Sequence, residues 1–202
     1  MLKRIAWGVA VAVAFIPAAL SAFGRWEPAY SFFAQLLALA PGMPGDYLRI
    51  GFYRLTLAEC SLSSRVSFGS FFAHPQAKLG PGVYIGSYCI IGMAGIGARC
   101  QIASGVQILS GRHQHLRSDD GELGGAEHGV FTSVSIGPEC WIGAAAIVMA
   151  DAGEGATIGA GSVVTRPVPA HSVVAGNPAR VIRQADQLLN TGAGDPASRL
   201  PA

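Results

Sequence analysis

Residues 136–147 read Ile-Gly-Pro-Glu-Cys-Trp-Ile-Gly-Ala-Ala-Ala-Ile, two six-residue blocks that each open on Ile-Gly. The same spacing extends in both directions. Upstream lie Leu-Gly-Pro-Gly-Val-Tyr from 79, Ile-Gly-Ser-Tyr-Cys-Ile from 85 and Ile-Gly-Met-Ala-Gly from 91. Ile-Gly-Ala-Arg-Cys-Gln follows from 96, Ile-Ala-Ser-Gly-Val-Gln from 102 and Ile-Leu-Ser-Gly from 108. Downstream come Val-Met-Ala-Asp-Ala-Gly from 148, Ile-Gly-Ala-Gly-Ser-Val from 158 and Val-Thr-Arg-Pro-Val-Pro from 164. A period of six fits neither the 3.6 of a helix nor the two of an alternating strand. It predicts an all-β solenoid with three flat faces per coil and one hexad per face. The first residue of each hexad points inward, and so does the fifth, which must be small. The glycine in second place marks either a crowded position or a positive φ. Stacked coils then bury one continuous aliphatic column, which a single coil cannot do. The short blocks at 91–96 and 148–157 predict local tightening, and 57–79 an irregular first coil.

A chain of 202 residues can hold one domain with its own core plus appendages. With 50% hydrophobic and only 13% charged residues it is not disordered by composition. A net charge of +2 gives no basic field for nucleic acid. Cys60, Cys89, Cys100 and Cys140 form no Cys-x-x-Cys pair, so the usual zinc and redox spacings are absent. Cys89, Cys100 and Cys140 fall at the fifth, inward position of their hexads. They read as core thiols, which suits a reducing compartment.

Lys3 and Arg4 precede an uncharged run from Ile5 to Phe23, and a second apolar stretch runs from Pro28 to Met43. The first is long enough for a hydrocarbon core of ~30 Å, whereas the second would lie at the interface or re-enter. A cleaved signal peptide and a helix packed on the main domain are the competing readings. Ser-Ala-Phe before Gly24 is a poor cleavage site, and Pro17 interrupts the run. The expectation is therefore an N-terminal apolar helical membrane segment, with lipid contacts through residues 5–43. Lys3, Arg4, Arg49 and Arg54 place the rest of the chain on the cytoplasmic face. The expected organisation is a membrane segment at 1–56, a repeat domain at 57–183 and a tail at 184–202.

Residues 111–133 break the repeat and carry three of the five histidines. A long polar excursion from a regular scaffold is where function concentrates. His113 and His115 project to the same side if the preceding strand persists past Gly111; if it ends there, no side follows. An imidazole near neutral pH is a suitable base for taking a proton from an attacking hydroxyl. The tetrahedral oxyanion of such a reaction needs a hydrogen-bond donor beside it.

The hexads, the segment from Ser-Gly-Arg-His-Gln-His at 110–115, and Cys-Trp-Ile-Gly at 140–143 resemble the hexapeptide-repeat acyltransferases. Ile-Gly-Ala-Gly-Ser-Val-Val-Thr-Arg at 158–166 and Ala-Gly-Asn-Pro-Ala-Arg at 175–180 carry the likeness further. The galactoside, maltose and serine acetyltransferases belong to that family, and the likeness extends to membrane-associated relatives from surface-polysaccharide and capsule loci. It covers roughly Cys60 to Arg183. It implies a left-handed parallel β-helix, a homotrimer with sites between subunits, and acetyl transfer from acetyl-CoA to a hydroxyl of a sugar or glycan. It implies no metal and no acyl-enzyme. His115 is the implied base and His113 the second candidate. Trp141, Ala144, Ala160, Thr165, Arg166, Arg180 and Arg183 match positions lining the acetyl-CoA site, the arginines near its phosphates. The chain departs from the maltose and galactoside enzymes in its N-terminal region and its loop motif, so no acceptor-binding residue carries over.

Two other readings use the same solenoid. A γ-type carbonic anhydrase needs three histidines around zinc, and no histidine pair lies five or six apart on successive hexads. A scaffold without catalysis would need neither the loop histidines nor the Asn-Pro-Ala-Arg tail. His74 is a possible acceptor-side residue, and His171 reads as a turn residue.

Overall fold

The computed structural model describes residues 2–111 and 131–184. Three parallel ladders form the walls of a triangular prism. Sheet A holds β1 (Glu59–Cys60), β4 (Lys78–Leu79), β7 (Ala94–Ile96) and β10 (Val134–Ile136). Sheet B holds β2 (Arg65–Val66), β5 (Tyr84–Ile85), β8 (Gln101–Ile102), β11 (Trp141–Ile142), β13 (Thr157–Ile158) and β15 (Val173–Ala175). An antiparallel β16 (Arg180–Arg183) closes its end. Sheet C holds β3 (Phe71–Phe72), β6 (Ile90–Ile91), β9 (Gln107–Ile108), β12 (Ile147–Val148) and β14 (Val163–Val164). The chain visits A, B and C in turn and climbs one strand spacing, ~4.8 Å, per coil.

Each short strand consists of the sixth residue of one hexad, pointing out, and the first of the next, pointing in. On sheet B the inward column is Val66, Ile85, Ile102, Ile142, Ile158 and Val174, all buried. Each such side chain contributes roughly 1.5–3 kcal/mol by leaving water. Cys89, Cys100 and Cys140 are buried at the fifth positions, as the spacing requires.

The structure decides between the two roles open to the second-place glycines. A Cβ on Gly143 would stand 2.5 Å from the backbone nitrogen of Ala160 in the next coil, so the position is crowded. Positive φ falls instead on the fourth residue of the hexad. Gly105 has φ 74° there, and Tyr88, Arg99, Glu139, Ala145 and His171 adopt the same region without glycine's freedom. His171 is thus a turn residue.

The first coil corrects the expectation for 57–79. It is regular, with Cys60, Val66 and Phe72 in the three inward places and each of its strands paired to the coil above. Two of those residues are not Leu, Ile or Val, which hid the register. The tight block at 148–157 narrows sheet A to single bridges at Ala152 and Val168.

The N-terminal expectation needs a larger correction. Residues 2–56 form three helices, α1 (Leu2–Leu20), α2 (Glu27–Ala38) and α3 (Gly42–Thr56), with a 3-10 turn at Ala22–Gly24. Among the described residues no helix is long and apolar enough to cross a membrane. α3 packs on β1 and β2, α2 on β3, and α1 lies along α3. Tyr30, Phe52, Tyr53 and Phe72 stack edge or face to plug the open base of the prism. The Tyr30 hydroxyl donates to the Phe72 carbonyl at 3.1 Å, and burial raises its pKa well above the ordinary value.

Candidate active site

The repeat break leaves and rejoins the solenoid at the edge between sheets C and A. Its neck is narrow and pinned. The Thr132 N–H donates to the Ser110 carbonyl at 3.0 Å, and the buried Ser110 Oγ accepts the Met93 N–H at 2.9 Å. Gly111 has φ 87°, and a Cβ there would sit 2.0 Å from Thr132 Oγ1, so this position admits only glycine. Asp151, one coil further on, accepts the Ser135 N–H on its Oδ1 at 2.7 Å and fixes the returning limb. The His74 ring packs 5.6 Å from Phe131, just before that limb. His113 and His115, the two candidate bases, lie outside the described residues. In the sequence they follow Gly111 of the neck by two and four positions.

Trp141 stands elsewhere. It is the outward residue of β11, in the middle of face B and 59% exposed. The sixth residue of a hexad belongs to the strand, so the ring stands on the flat of the wall and not at a corner. Face B is the wall opposite the C–A edge. Along it the outward positions run Arg65, Tyr84, Gln101, Trp141, Thr157 and Val173. Ala144 and Ala160 stack at the edge between sheets B and C, where the Gly161 N–H donates to the Ala144 carbonyl at 2.8 Å. Both are exposed and small, leaving the main chain open to approach. Thr165 and Arg166 sit on the C–A edge above the loop neck.

Arg166 and Arg180 come together at the C-terminal end of the prism, on a cleft of about 160 Å³ walled by Val164, Val168, Val174 and Val181. Arg183, at the far end of β16 opposite Val173, does not line it. The candidate residues therefore form separate groups: the loop neck, face B with the B–C edge, and the arginine cleft. Asp151 at the neck is the addition that the structure makes, and it gave no signal in the sequence. His74, the acceptor-side candidate of the sequence, is placed against Phe131 at the same neck. Among the described residues no three His, Cys, Asp or Glu side chains converge where a metal would be held.

This chain is similar in fold to a maltose O-acetyltransferase from Clostridium difficile 630, with a TM-score of 0.65 and 24% identity over 77% of this chain and 84% of that one. The fold is that of the hexapeptide-repeat acetyltransferases. A hexapeptide-repeat acetyltransferase from Vibrio cholerae, complexed with acetyl coenzyme A, matches at a TM-score of 0.60 and 20% identity, covering 83% of this chain and 89% of that one. In sequence, serine acetyltransferase 2 of Arabidopsis thaliana is 36% identical over 133 residues, 63% of this chain and 37% of that protein. Serine acetyltransferase 4 of the same plant is 35% identical over 142 residues, 65% of this chain and 35% of that protein. The chain thus spans little more than a third of the length of these curated relatives. No family model matches it.

The cysteines of this hexapeptide-repeat fold take no part in the candidate site. Burial pushes the Cys60 thiol up to about 12 and raises that of Cys89. The hydrogen bond between the Cys100 and Cys140 thiols raises the first and lowers the second, but both are buried, and thiols out of reach of solvent are poor targets for a reagent. In the native protein a maleimide should consume none of the four, and after denaturation all four. Rapid native labelling of Cys89 or Cys140 would show that the coils open.

Proposed function

We propose that the protein moves an acetyl group from acetyl-CoA to a hydroxyl of a sugar or surface-glycan precursor, in sites shared between the copies of a homotrimer. One observation carries the shared site. The loop neck leaves the prism at the C–A edge and Trp141 stands on the opposite wall, so in one copy the two face different sides. A neighbouring copy that sets its C–A edge against face B would bring loop and tryptophan to one cleft. The acetyltransferase relatives support the chemistry, and the acetyl-CoA complex of the Vibrio cholerae protein supports the donor.

In this reading the loop imidazole takes the proton of the acceptor hydroxyl as its oxygen attacks the thioester carbonyl. The tetrahedral oxyanion is held by hydrogen-bond donors at the cleft. Its collapse breaks the C–S bond, and the departing sulfur takes the proton back from the imidazolium. The products are an acetyl ester and free CoA thiol. Trp141, Ala144 and Ala160 line the pantetheine path, Thr165 and Arg166 continue it, and Arg180 and Arg183 meet phosphate. The repeat domain faces the cytoplasm beside a membrane, which the four buried, unpaired thiols support.

The test is acceptor-dependent release of CoA thiol by the purified full chain across a panel of lipid-linked, nucleotide-linked and free saccharides. Trp141→Ala should raise KM for acetyl-CoA about tenfold, the worth of one stacked aromatic contact, with kcat nearly unchanged. Its melting temperature should hold, because the ring is mostly in solvent. Thiol release that no saccharide stimulates would end the proposal, and an unchanged KM would remove Trp141 from the donor site.

A further inference from the structure

α1 is built inside out. Its buried positions are the small residues Ala10, Ala14 and Ala18, spaced four apart. Its large residues Val9, Val13, Phe15, Ile16 and Leu20 all point away from the protein. The contact with α3 is close enough that a Cβ on Gly51 would stand 2.7 Å from the Ala10 carbonyl oxygen. From 7 to 20 no exposed position carries a polar side chain. A helix on a protein in water shows the opposite arrangement, with large apolar residues inward and polar ones out. Small residues at the helix contact and large apolar ones outside are what a lipid surround favours. The apolar surface continues over the 3-10 turn and α2 through Phe23, Phe32, Leu36 and Leu39.

We propose that this face lies in the plane of a lipid bilayer, embedded in one leaflet without crossing it. Several features choose a bilayer over a second copy of the chain. A protein interface of ordinary size carries on the order of ten hydrogen bonds, and the outer face of α1 offers no side chain to make one. The ends of the patch are basic: Lys3 and Arg4 open α1 in the sequence, and exposed Arg25 stands beside exposed Trp26. Those residue types settle at anionic headgroups. The acidic residues beside the patch are already partnered: Glu27 accepts from Gln76 of the solenoid at 3.2 Å, and Asp46, which lines a pocket with Trp7, is paired with Arg49 and Arg65. Length argues against crossing. The uncharged part of α1, residues 5–20, spans roughly 24 Å at 1.5 Å per residue, less than a hydrocarbon core of ~30 Å. This places the membrane contact of the proposed function along the outer faces of α1 and α2, and it does not depend on acyl transfer.

Sedimentation of the full chain with vesicles of phosphatidylcholine, and of phosphatidylcholine mixed with phosphatidylglycerol, tests it. The chain should bind both and the anionic vesicles more tightly. Ile16→Glu and, separately, Val13→Glu should each weaken binding about tenfold or more, with the melting curve kept, since both side chains are exposed. In a variant keeping Trp26 as its one tryptophan (Trp7→Phe, Trp141→Phe), lipids brominated near the headgroup should quench fluorescence more than lipids brominated near the chain end. Three results would overturn the proposal: no binding to either vesicle, equal binding by the glutamate variants, or a lipid-free oligomer that covers the face and ignores vesicles. Stronger quenching by the deep bromines would overturn the one-leaflet placement.

Discussion

Arg49→Ala should cost about 3–5 kcal/mol of folding stability, the largest loss expected from any single side chain in the helical layer. In a chain of this length that lowers the melting temperature by on the order of 10 °C. Arg49 is fully buried on α3 and every arm of its guanidinium is used. Nε donates to the Val66 carbonyl of β2 at 2.8 Å. Nη1 donates to the carbonyls of Leu37, Ala38 and Ala40 at 3.0, 3.3 and 2.7 Å. Nη2 meets Asp46 Oδ1 at 2.6 Å. The three carbonyls close the C-terminal end of α2, where the helix leaves acceptors without internal partners and concentrates negative partial charge. One cation therefore ties α2, α3 and the first coil of the solenoid together.

The alanine variant strips these groups unequally. The Leu37 and Ala38 carbonyls keep backbone donors, from Ala40 at 3.1 Å and Gly69 at 2.8 Å. Asp46 keeps Arg65 at 2.7 Å. The loss falls chiefly on the Ala40 and Val66 carbonyls and on the cavity left behind, roughly 1–3 kcal/mol for each stranded acceptor. Arg49→Lys should recover less than half, because an ammonium on a flexible stem cannot reproduce the planar fork that serves β2 and α2 at once. Thermal unfolding followed by circular dichroism reads both variants. A shift of only a degree or two in Arg49→Ala would mean that water takes over these contacts and that the cation is no keystone.

The solenoid was legible because its geometry repeats. Ile85, Ile102 and Ile142 recur at one phase, and only a coil of three short strands brings that phase to one column. The first coil was harder to read because Cys60 and Phe72 break the aliphatic code while filling the same places. The strand boundaries were not legible from the hexads, because each strand joins the sixth residue of one hexad, such as Trp141, to the first of the next. The apolar N-terminus was misread for a deeper reason. Hydropathy reports how much apolar surface a helix carries and says nothing of which side the neighbours occupy. The alanines at 10, 14 and 18 did mark the inner stripe, but their meaning depends on Gly51 of α3, a partner more than thirty residues away. At the candidate site the loop stood out by its polarity. The contact of His74 with Phe131 and the anchoring of the loop by Asp151 arise from coils stacked far apart in sequence, and no local pattern announces them.

His115→Ala should lower kcat by about a hundred- to ten-thousandfold, the range that one positioned base supplies. KM for acetyl-CoA should stay within about twofold, because the proposed donor site is made by Trp141 and the small residues at the B–C edge and leaves the loop to the acceptor. The melting temperature should not move, since the neck is closed by Ser110, Gly111 and Thr132. His113→Ala should cost about tenfold if that ring only orients the base. Should His113→Ala carry the larger loss instead, the roles exchange and the chemistry stands. The pH profile separates a base from a mere contact. A histidine base must be neutral to take a proton, so the activity of the unaltered protein should fall through an inflection as the solution is acidified. The residual activity of His115→Ala should lose that inflection. If both single variants retain full turnover, no loop histidine takes the acceptor proton. The shared cleft would then need its base from another group at the C–A edge, and His74, already against Phe131, is the side chain placed to be tested next.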